Sequence, residues 1–244
     1  TTNMLELTKY MLYCALGTDF GVKSFDFDNL YPTLEVGDLY GDTIEEQIWF
    51  ALLDAGYSKE AAAGVLGNLK QESGIRTNNL QNSYESVLHM NDEQYTQAVD
   101  SGTYTKFIND GCGYGLAQWT SSGRKQGLYN FAKNIRGVSI SDQSMQIEYL
   151  LGEISPSGGA EGYAKFQMGS PRDGYTYSSW TNASTPEDAA VAFCKVFERA
   201  GVESLSNRKK YAREFYDKYQ NLSKSSTYIG DIPLTGENKQ RMFN

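Results

Sequence analysis

Apolar residues recur along this chain at the three- and four-residue spacing of amphipathic helices, whereas the alternation typical of strands is weak throughout. Helices are also marked by their ends: Ser58 is a typical N-cap, and Thr185-Pro186 is a strong helix start. The pattern therefore predicts a mainly α-helical fold. Helices are predicted over residues 3–16, 59–72, 124–134, 143–151, 160–167, 186–199 and 207–221, with shorter ones at 85–88 and 92–101 and one that starts after Asp42 or Thr43.

The helix predicted over residues 59–72 carries the first candidate for chemistry. Val65, Leu66 and Leu69 form an apolar face, and Gly74 is a natural C-cap. Glu72 then lies in the last turn, where the negative end of the helix dipole favours the protonated carboxyl. A protonated carboxyl is what a general acid needs. Taken alone, the local pattern is more typical of a surface glutamate at a helix end.

Composition along the chain predicts three parts. We expect a main domain over residues 42–221, preceded at 1–41 by a short helix and an aromatic loop that form a docking arm or linker. Residues 222–244 are rich in Ser and Thr and contain Pro233, which predicts a tail or linker. The chain starts without an initiator Met, so we interpret it as a piece of a longer protein.

Charge and hydropathy limit the classes of partner that this chain is expected to bind. The 244 residues carry a net charge of −8, which argues against nucleic acid as the main partner. An anionic wall polymer stays possible, because a cleft can differ in charge from the average surface. No apolar run approaches the ~18 residues of a membrane helix. Eighteen tyrosines are typical of a wet binding groove or of partly buried core aromatics.

Cysteine and histidine are scarce. Three cysteines allow at most one internal bridge, with Cys112 and Cys194 as one possible pair. The single histidine, His89, would have to serve any His-containing metal site, catalytic triad or Cys-His protease. We predict no metal site and no cofactor.

A glycine-rich segment follows in the middle of the chain. Gly111, Gly113 and Gly115 fall within five residues, a density that indicates backbone freedom or the close approach of a ligand. The segment lacks the preceding strand and the spacing of a nucleotide-binding loop.

Three segments in this order resemble a known family. They are residues 67–74 (Gly-Asn-Leu-Lys-Gln-Glu-Ser-Gly), 113–119 (Gly-Tyr-Gly-Leu-Ala-Gln-Trp) and 193–201, which includes Phe197-Glu198-Arg199. Together they are similar to the phage tail-tip lysozyme family, within the wider superfamily of lysozymes and soluble lytic transglycosylases. The resemblance covers about residues 42–220 and implies a lysozyme-like helical domain with a cleft that binds bacterial peptidoglycan.

The resemblance also implies roles for individual residues. Glu72 matches the catalytic acid and Ser73 its neighbour. Gly115, Leu116 and Gln118 match the segment that walls the cleft and hydrogen-bonds the sugar near the acid.

Other roles stay open. Glu198 either supports the cleft or forms an ion pair with Arg199 or a lysine at a helix end. Tyr114 and Trp119 are sugar platforms or core aromatics beneath the loop.

Glycosidic cleavage requires a proton on the leaving oxygen and a group that manages the oxocarbenium-like charge. Leu69 and Trp119 beside Glu72 would raise its pKa by desolvation. Asp110 is our first choice for the second carboxylate and Glu85 our second. If neither reaches the cleft, the N-acetyl group of the sugar or its 6-hydroxyl completes the reaction, the latter giving lytic transglycosylase chemistry.

We therefore expect a glycosidase that cleaves the β-1,4 bond between N-acetylmuramic acid and N-acetylglucosamine. The alternatives are a lytic transglycosylase with 1,6-anhydro products and a non-catalytic wall-binding module. The resemblance further implies other domains of a longer chain, a phage tail or conjugation assembly, and an extracellular or virion location.

Overall fold

A computed structural model describes residues 39–159, 163–168 and 171–224 of the chain. These residues are mainly helical, which confirms the predicted fold class, and they contain isolated β-bridges but no β-strand. The helices are α1 (Ile44–Asp54), α2 (Lys59–Ser73), α3 (Asn82–Leu88), α4 (Asp92–Asp100), α5 (Ser122–Asn130), α6 (Gln143–Ile154), α7 (Tyr177–Thr181), α8 (Pro186–Phe193) and α9 (Leu205–Tyr219). Two of them continue as wider π-helical turns, α5 into Phe131–Arg136 and α8 into Cys194–Glu198.

Helix ends lie where the sequence predicts them. The Ser58 hydroxyl accepts a hydrogen bond from the amide of Ala61 at the start of α2. Thr185 accepts one from the amide of Asp188 at the start of α8. Gly74 ends α2 in the left-handed conformation, at φ +66°. Each cap satisfies backbone groups that the helix leaves unpaired, so these boundaries are encoded locally.

Helix α2 lies at the centre of the fold. Every residue from Ala61 to Leu69 is buried, so the helix is enclosed on all sides and not along one face only. Glycines permit this: a Cβ on Gly64 would lie 2.7 Å from the Ala189 Cβ of α8, and one on Gly67 would lie 2.7 Å from the Ala212 nitrogen of α9. The close approach of α8 and α9 brings side chains from three helices to the end of α2 that carries Glu72.

Some predicted elements differ from the structure or lie outside the described residues. The described part of the helix predicted at 160–167 (residues 163–167) is irregular, whereas Tyr177–Thr181 forms a short helix that the apolar pattern did not predict. The helix predicted at 3–16, the aromatic loop and the tail beyond residue 224 lie outside the described residues. No described helix has the length and apolarity needed to cross a membrane.

The possible bridge between Cys112 and Cys194 is not formed. Both are buried free thiols. Each sulfur instead lies within hydrogen-bonding reach of a backbone carbonyl, that of Asp110 for Cys112 and that of Glu203 for Cys194.

Candidate active site

A pocket of about 900 Å³ opens at the carboxyl-terminal end of α2. The end of α2 forms one part of its wall, the loop after the glycine-rich segment another, and the turn that follows α8 a third. Its lining combines amide side chains with two phenylalanines and carries two carboxyl groups. The amides and phenylalanines are Gln71, Gln81, Gln118, Gln167, Phe166 and Phe197, and the carboxyl groups belong to Glu72 and Glu198.

Glu72 is held by a buried arginine. The Arg208 Nη2 donates a hydrogen bond to the Glu72 Oε1 at 2.5 Å, and the Glu72 side chain keeps 19% exposure while that of Arg208 keeps 2%. Arg208 also donates to the Asn68 Oδ1 at 2.8 Å and to the Glu203 carbonyl at 2.7 Å. Asn68 in turn donates to the carbonyl of Ala190 at 3.0 Å. Hydrogen bonds among α2, α8 and α9 thus fix the position of the Glu72 carboxylate.

Glu198 is the second carboxyl of the pocket, and it ends the π-helical extension of α8. Its Oε1 is buried and has no hydrogen-bond partner among the described residues. Burial raises the pKa of Glu198 well above its usual range, and the negative charge of Glu72 raises it further. Arg124 and Arg208 act in the opposite direction but do not offset these effects.

Asp110, our first choice for the second carboxylate, does not line the pocket. Its carboxylate accepts hydrogen bonds from the Lys125 Nζ at 2.5 Å, the Tyr95 hydroxyl at 2.5 Å and the Tyr104 hydroxyl at 3.2 Å. The Lys125 side chain is fully buried, and the Asp110 side chain keeps 4% exposure. A buried ammonium needs a counter-ion, and Asp110 is that counter-ion.

Glu85, our second choice, lies in α3 and is also absent from the pocket lining. Neither predicted partner is therefore next to Glu72 in the structure, and Glu198 occupies the pocket in their place.

Ser73 and Leu116 connect α2 to the glycine-rich segment. The Ser73 hydroxyl donates to the Leu116 carbonyl at 2.8 Å, and the amide of Leu116 donates to the Gln146 Oε1 at 3.0 Å. Both Ser73 and Leu116 are buried, so they position the pocket wall and do not face the pocket.

Gly115 and Gln118 shape the same wall. Gly115 has φ +74°, a conformation that favours glycine, and its amide donates to the Asn79 carbonyl at 2.9 Å. Gln118 does line the pocket, and its Nε2 donates to the Asn79 carbonyl at 2.9 Å.

Tyr114 and Trp119 are core aromatics. Both side chains are fully buried and absent from the pocket lining. The Tyr114 hydroxyl is hydrogen-bonded to that of Thr96 at 2.6 Å, and the Trp119 Nε1 donates to the Glu153 Oε2 at 2.7 Å. The sequence left open whether these residues are sugar platforms or core aromatics, and the structure supports core aromatics.

Two arginines of the pocket were not predicted. Arg208 belongs to a basic run, Arg208-Lys209-Lys210, in which nothing in the sequence marks the residue that points inward. Arg124 donates to both oxygens of buried Glu153, at 2.8 and 2.5 Å, and its guanidinium lies 4.6 Å from the centre of the Phe197 ring. Helical spacing between Arg208 and the apolar positions of α9, such as Ala212 and Phe215, is the one signal available from the sequence.

Within the part of the chain that the structure describes, no group of three or more His, Cys, Asp or Glu side chains is arranged to hold a metal ion.

A mainly helical domain with two carboxyls in a polar pocket is consistent with the class of lysozyme-like proteins. Among known protein families, the phage tail lysozyme family matches residues 43–219 of the chain. The chain therefore belongs to this family. A search of curated proteins found no significant match. Family membership confirms the resemblance and indicates a peptidoglycan-degrading enzyme of the lysozyme type.

Proposed function

We propose that this chain is a muramidase that hydrolyses the β-1,4 bond between N-acetylmuramic acid and N-acetylglucosamine, with Glu72 as a catalytic carboxyl. The observation that carries the proposal is the pocket itself, which brings Glu72 and Glu198 together at the end of α2. Hydrolysis of a glycosidic bond commonly uses two carboxyl groups in unlike protonation states. The different surroundings of these two glutamates support such a division.

The rest of the lining suits a sugar polymer. Amide side chains such as Gln118 and Gln167 offer both donors and acceptors to hydroxyl and N-acetyl groups. Phe166 and Phe197 add apolar surface for the faces of sugar rings. A mixed polar and aromatic lining of this kind is typical of small-molecule and carbohydrate sites.

A second carboxyl in the pocket favours hydrolysis over the transglycosylase alternative. Attack by the sugar's own 6-hydroxyl needs only one carboxyl that acts first as acid and then as base. Glu198 supplies a further carboxyl, which supports activation of water instead.

The test is the Glu72→Gln variant on purified peptidoglycan. We expect loss of soluble fragment release by about 100-fold or more per folded molecule, with a lower unfolding temperature because buried Arg208 loses its counter-ion. Glu85→Gln is the matched control, because it removes a carboxyl outside the pocket, and it should cleave as the wild type does. Retained cleavage by Glu72→Gln would exclude the assignment, and wall binding without fragment release by the wild type would favour a non-catalytic module.

We propose further that this activity opens the cell wall locally as part of a phage tail or a conjugation assembly, on the extracellular or virion side. The family supports the phage context. Residues 1–41 and 222–244 would then connect the catalytic domain to other domains of a longer chain. Detection of the chain in purified particles by mass spectrometry tests this role, and its absence from them would contradict it.

A further inference from the structure

The longest continuous stretch of the pocket lining, residues 197–202, leads out of the π-helical extension of α8 into the turn before α9. We call residues 199–204 the pocket turn; all of them except Glu203 line the pocket. Within the described part of the chain, residues 200–203 make no backbone–backbone hydrogen bond, and Val202 is 83% exposed. Segments with few backbone hydrogen bonds and few buried contacts have low local stability. The position of the pocket turn therefore depends on the side chains that bind it.

Both ends of the pocket turn have an unfavourable backbone conformation. Arg199 at its start has φ +51° and Ser204 at its end has φ +48°, in the left-handed region that favours glycine. Such residues cost free energy and persist only where the surrounding structure holds them in place. The pocket turn therefore has a shape that its own backbone does not favour.

Lys195 binds the pocket turn through a carboxylate. This lysine lies in the π-helical extension of α8, and its side chain keeps 14% exposure. Its Nζ lies 2.6 Å from the Glu203 Oε1 and 2.8 Å from the Asp173 Oδ2. The Glu203 carbonyl also accepts a hydrogen bond from the Arg208 Nε at 2.7 Å. Glu203 is thus fixed at its side chain by Lys195 and at its backbone by Arg208.

The second carboxylate on Lys195 belongs to a short hairpin that the sequence encodes locally. Arg172 and Tyr175 are joined by two backbone hydrogen bonds, of 3.0 and 2.9 Å. Between them, Asp173 and Gly174 have φ +51° and +81°, as a type I′ hairpin turn requires, and Asp-Gly is a favoured sequence for that turn. The hairpin therefore presents the Asp173 carboxylate at its tip, where Lys195 binds it.

The chain on either side of this hairpin builds another part of the pocket wall. Phe166 and Gln167, which precede it, line the pocket. The Phe166 ring packs edge to face against Tyr177 of α7, which follows the hairpin, with ring centres 5.7 Å apart. Partly exposed ion pairs contribute little to the free energy of unfolding. The two pairs of Lys195 instead join the pocket turn to the segment that carries Phe166.

We propose that Lys195 is a positioning residue for the substrate, whose two ion pairs hold the pocket turn and the 172–175 hairpin in the arrangement that binds the glycan chain. The identity of this substrate rests on the proposed function. Glu72 is held separately, because Arg208 binds both Glu72 and Asn68. Loss of the Lys195 ion pairs is therefore expected to weaken glycan binding and to leave the chemical step almost unchanged.

Calorimetric titration with peptide-free glycan strands measures binding without reference to cleavage. In the Glu72→Gln chain, we expect Lys195→Met, which removes the charge and keeps the aliphatic length, to weaken binding about three- to tenfold. Lys195→Arg should restore most of the affinity, because a guanidinium also pairs with carboxylates. Lys210→Met is the matched control, since it removes a long ion pair with Glu214 on the exposed side of α9, and it should bind as Glu72→Gln does. Equal affinity of Glu72→Gln with and without Lys195→Met would overturn the proposal.

Kinetics on the same strands give the second readout. With Glu72 present, Lys195→Met should raise KM about three- to tenfold and keep kcat within about twofold, whereas a lysine that only stabilises the fold would leave the KM of the folded molecules unchanged.

Asp173→Asn tests the hairpin: it should raise KM in the wild type and have no further effect in Lys195→Met. An equal effect in both backgrounds would show that Asp173 does not act through Lys195. A wild type that neither binds nor cleaves glycan contradicts the proposed function. Unchanged KM in an active Lys195→Met contradicts only the role of Lys195.

Discussion

At the scale of single residues, the candidate site depends on which of its buried charged groups form ion pairs. The side chains of Glu153 and Asp110 are both nearly inaccessible to solvent, and both are ion-paired, with Arg124 and Lys125 respectively. Glu198 differs, because its buried Oε1 has no donor among the residues that the structure describes and its pKa is raised. An acid whose pKa is raised by folding destabilises the folded state whenever it is ionised in the unfolded chain.

This linkage predicts a pH-dependent gain from Glu198→Gln. Below the ordinary pKa of glutamate, about 4.3, wild type and variant should have similar unfolding free energies. As pH rises from there towards the raised pKa of folded Glu198, the wild type loses up to about 1.4 kcal/mol per pH unit from this residue, and the variant loses none. Urea unfolding at several pH values measures the difference. A constant difference between the two curves would show that Glu198 titrates normally.

Asp110 gives the opposite prediction, a loss of stability without a loss of catalysis. Asp110→Asn leaves the ammonium of fully buried Lys125 without its counter-ion, so we expect the unfolding free energy to fall by about 3 kcal/mol. Fragment release per folded molecule should stay within about twofold of wild type, because Asp110 does not line the pocket.

The control for this variant is Asp54→Asn, which removes an ion pair with Lys224 on the exposed surface. It should cost at most about 1 kcal/mol. Inactivity of Asp110→Asn at wild-type stability would restore Asp110 as a catalytic candidate.

These residues show which features of the site the sequence alone can predict. Glu72 could be predicted as a candidate because its signals, a helix end and a nearby glycine cap, are local. The position of Asp110 outside the pocket lining could not be predicted, because the burial of Lys125 is a property of the assembled fold. Glu198 was predicted to support the cleft or to form a helix-end ion pair, since nothing near it in sequence reveals that Arg124 and Arg208 are bound to other carboxylates.

At the scale of elements, α2 organises the site. Its small residues allow α8 and α9 to approach closely, and these helices deliver Glu198 and Arg208 to the end that carries Glu72. The run Ala61-Ala62-Ala63 predicted close packing, and the capping residues predicted the helix bounds. The sequence did not predict which helices pack against α2. Small residues allow any helix to approach closely, so they do not select a particular one.

Gly67→Ala tests this packing. The added Cβ would lie 2.7 Å from both the Ala212 nitrogen and the Arg208 carbonyl oxygen, which are backbone atoms of α9. We expect the unfolding free energy to fall by about 1–3 kcal/mol, as for other overpacked cores. Activity should fall too, because displacement of α9 moves Arg208 away from Glu72.

Gly123→Ala is the matched control. Gly123 is exposed in α5, and an added Cβ would meet nothing within 4 Å. Alanine should therefore stabilise the chain by about 0.5–1 kcal/mol through helix propensity. If both variants were equally stable, close packing of α2 on α9 would not be a requirement of the fold.

At the scale of the whole molecule, an acidic chain presents a pocket in which arginines and carboxylates alternate. The net charge of −8 describes the average surface, whereas Glu72, Glu153 and Glu198 share their surroundings with Arg124 and Arg208. Fold class and family were predictable because helix periodicity and three short segments extend over most of the chain. The composition of the pocket was not predictable, because it depends on segments far apart in the chain, such as those of Glu72 and Arg208, which are 136 residues apart.

The central claim is that this pocket hydrolyses the glycan chain of peptidoglycan. Mass spectrometry of fragments released from purified wall tests it most directly. We expect the wild type to produce fragments with reducing N-acetylmuramic acid ends, and Glu72→Gln to produce none above background. Fragments with only 1,6-anhydro ends, or undiminished release by Glu72→Gln, would contradict the account.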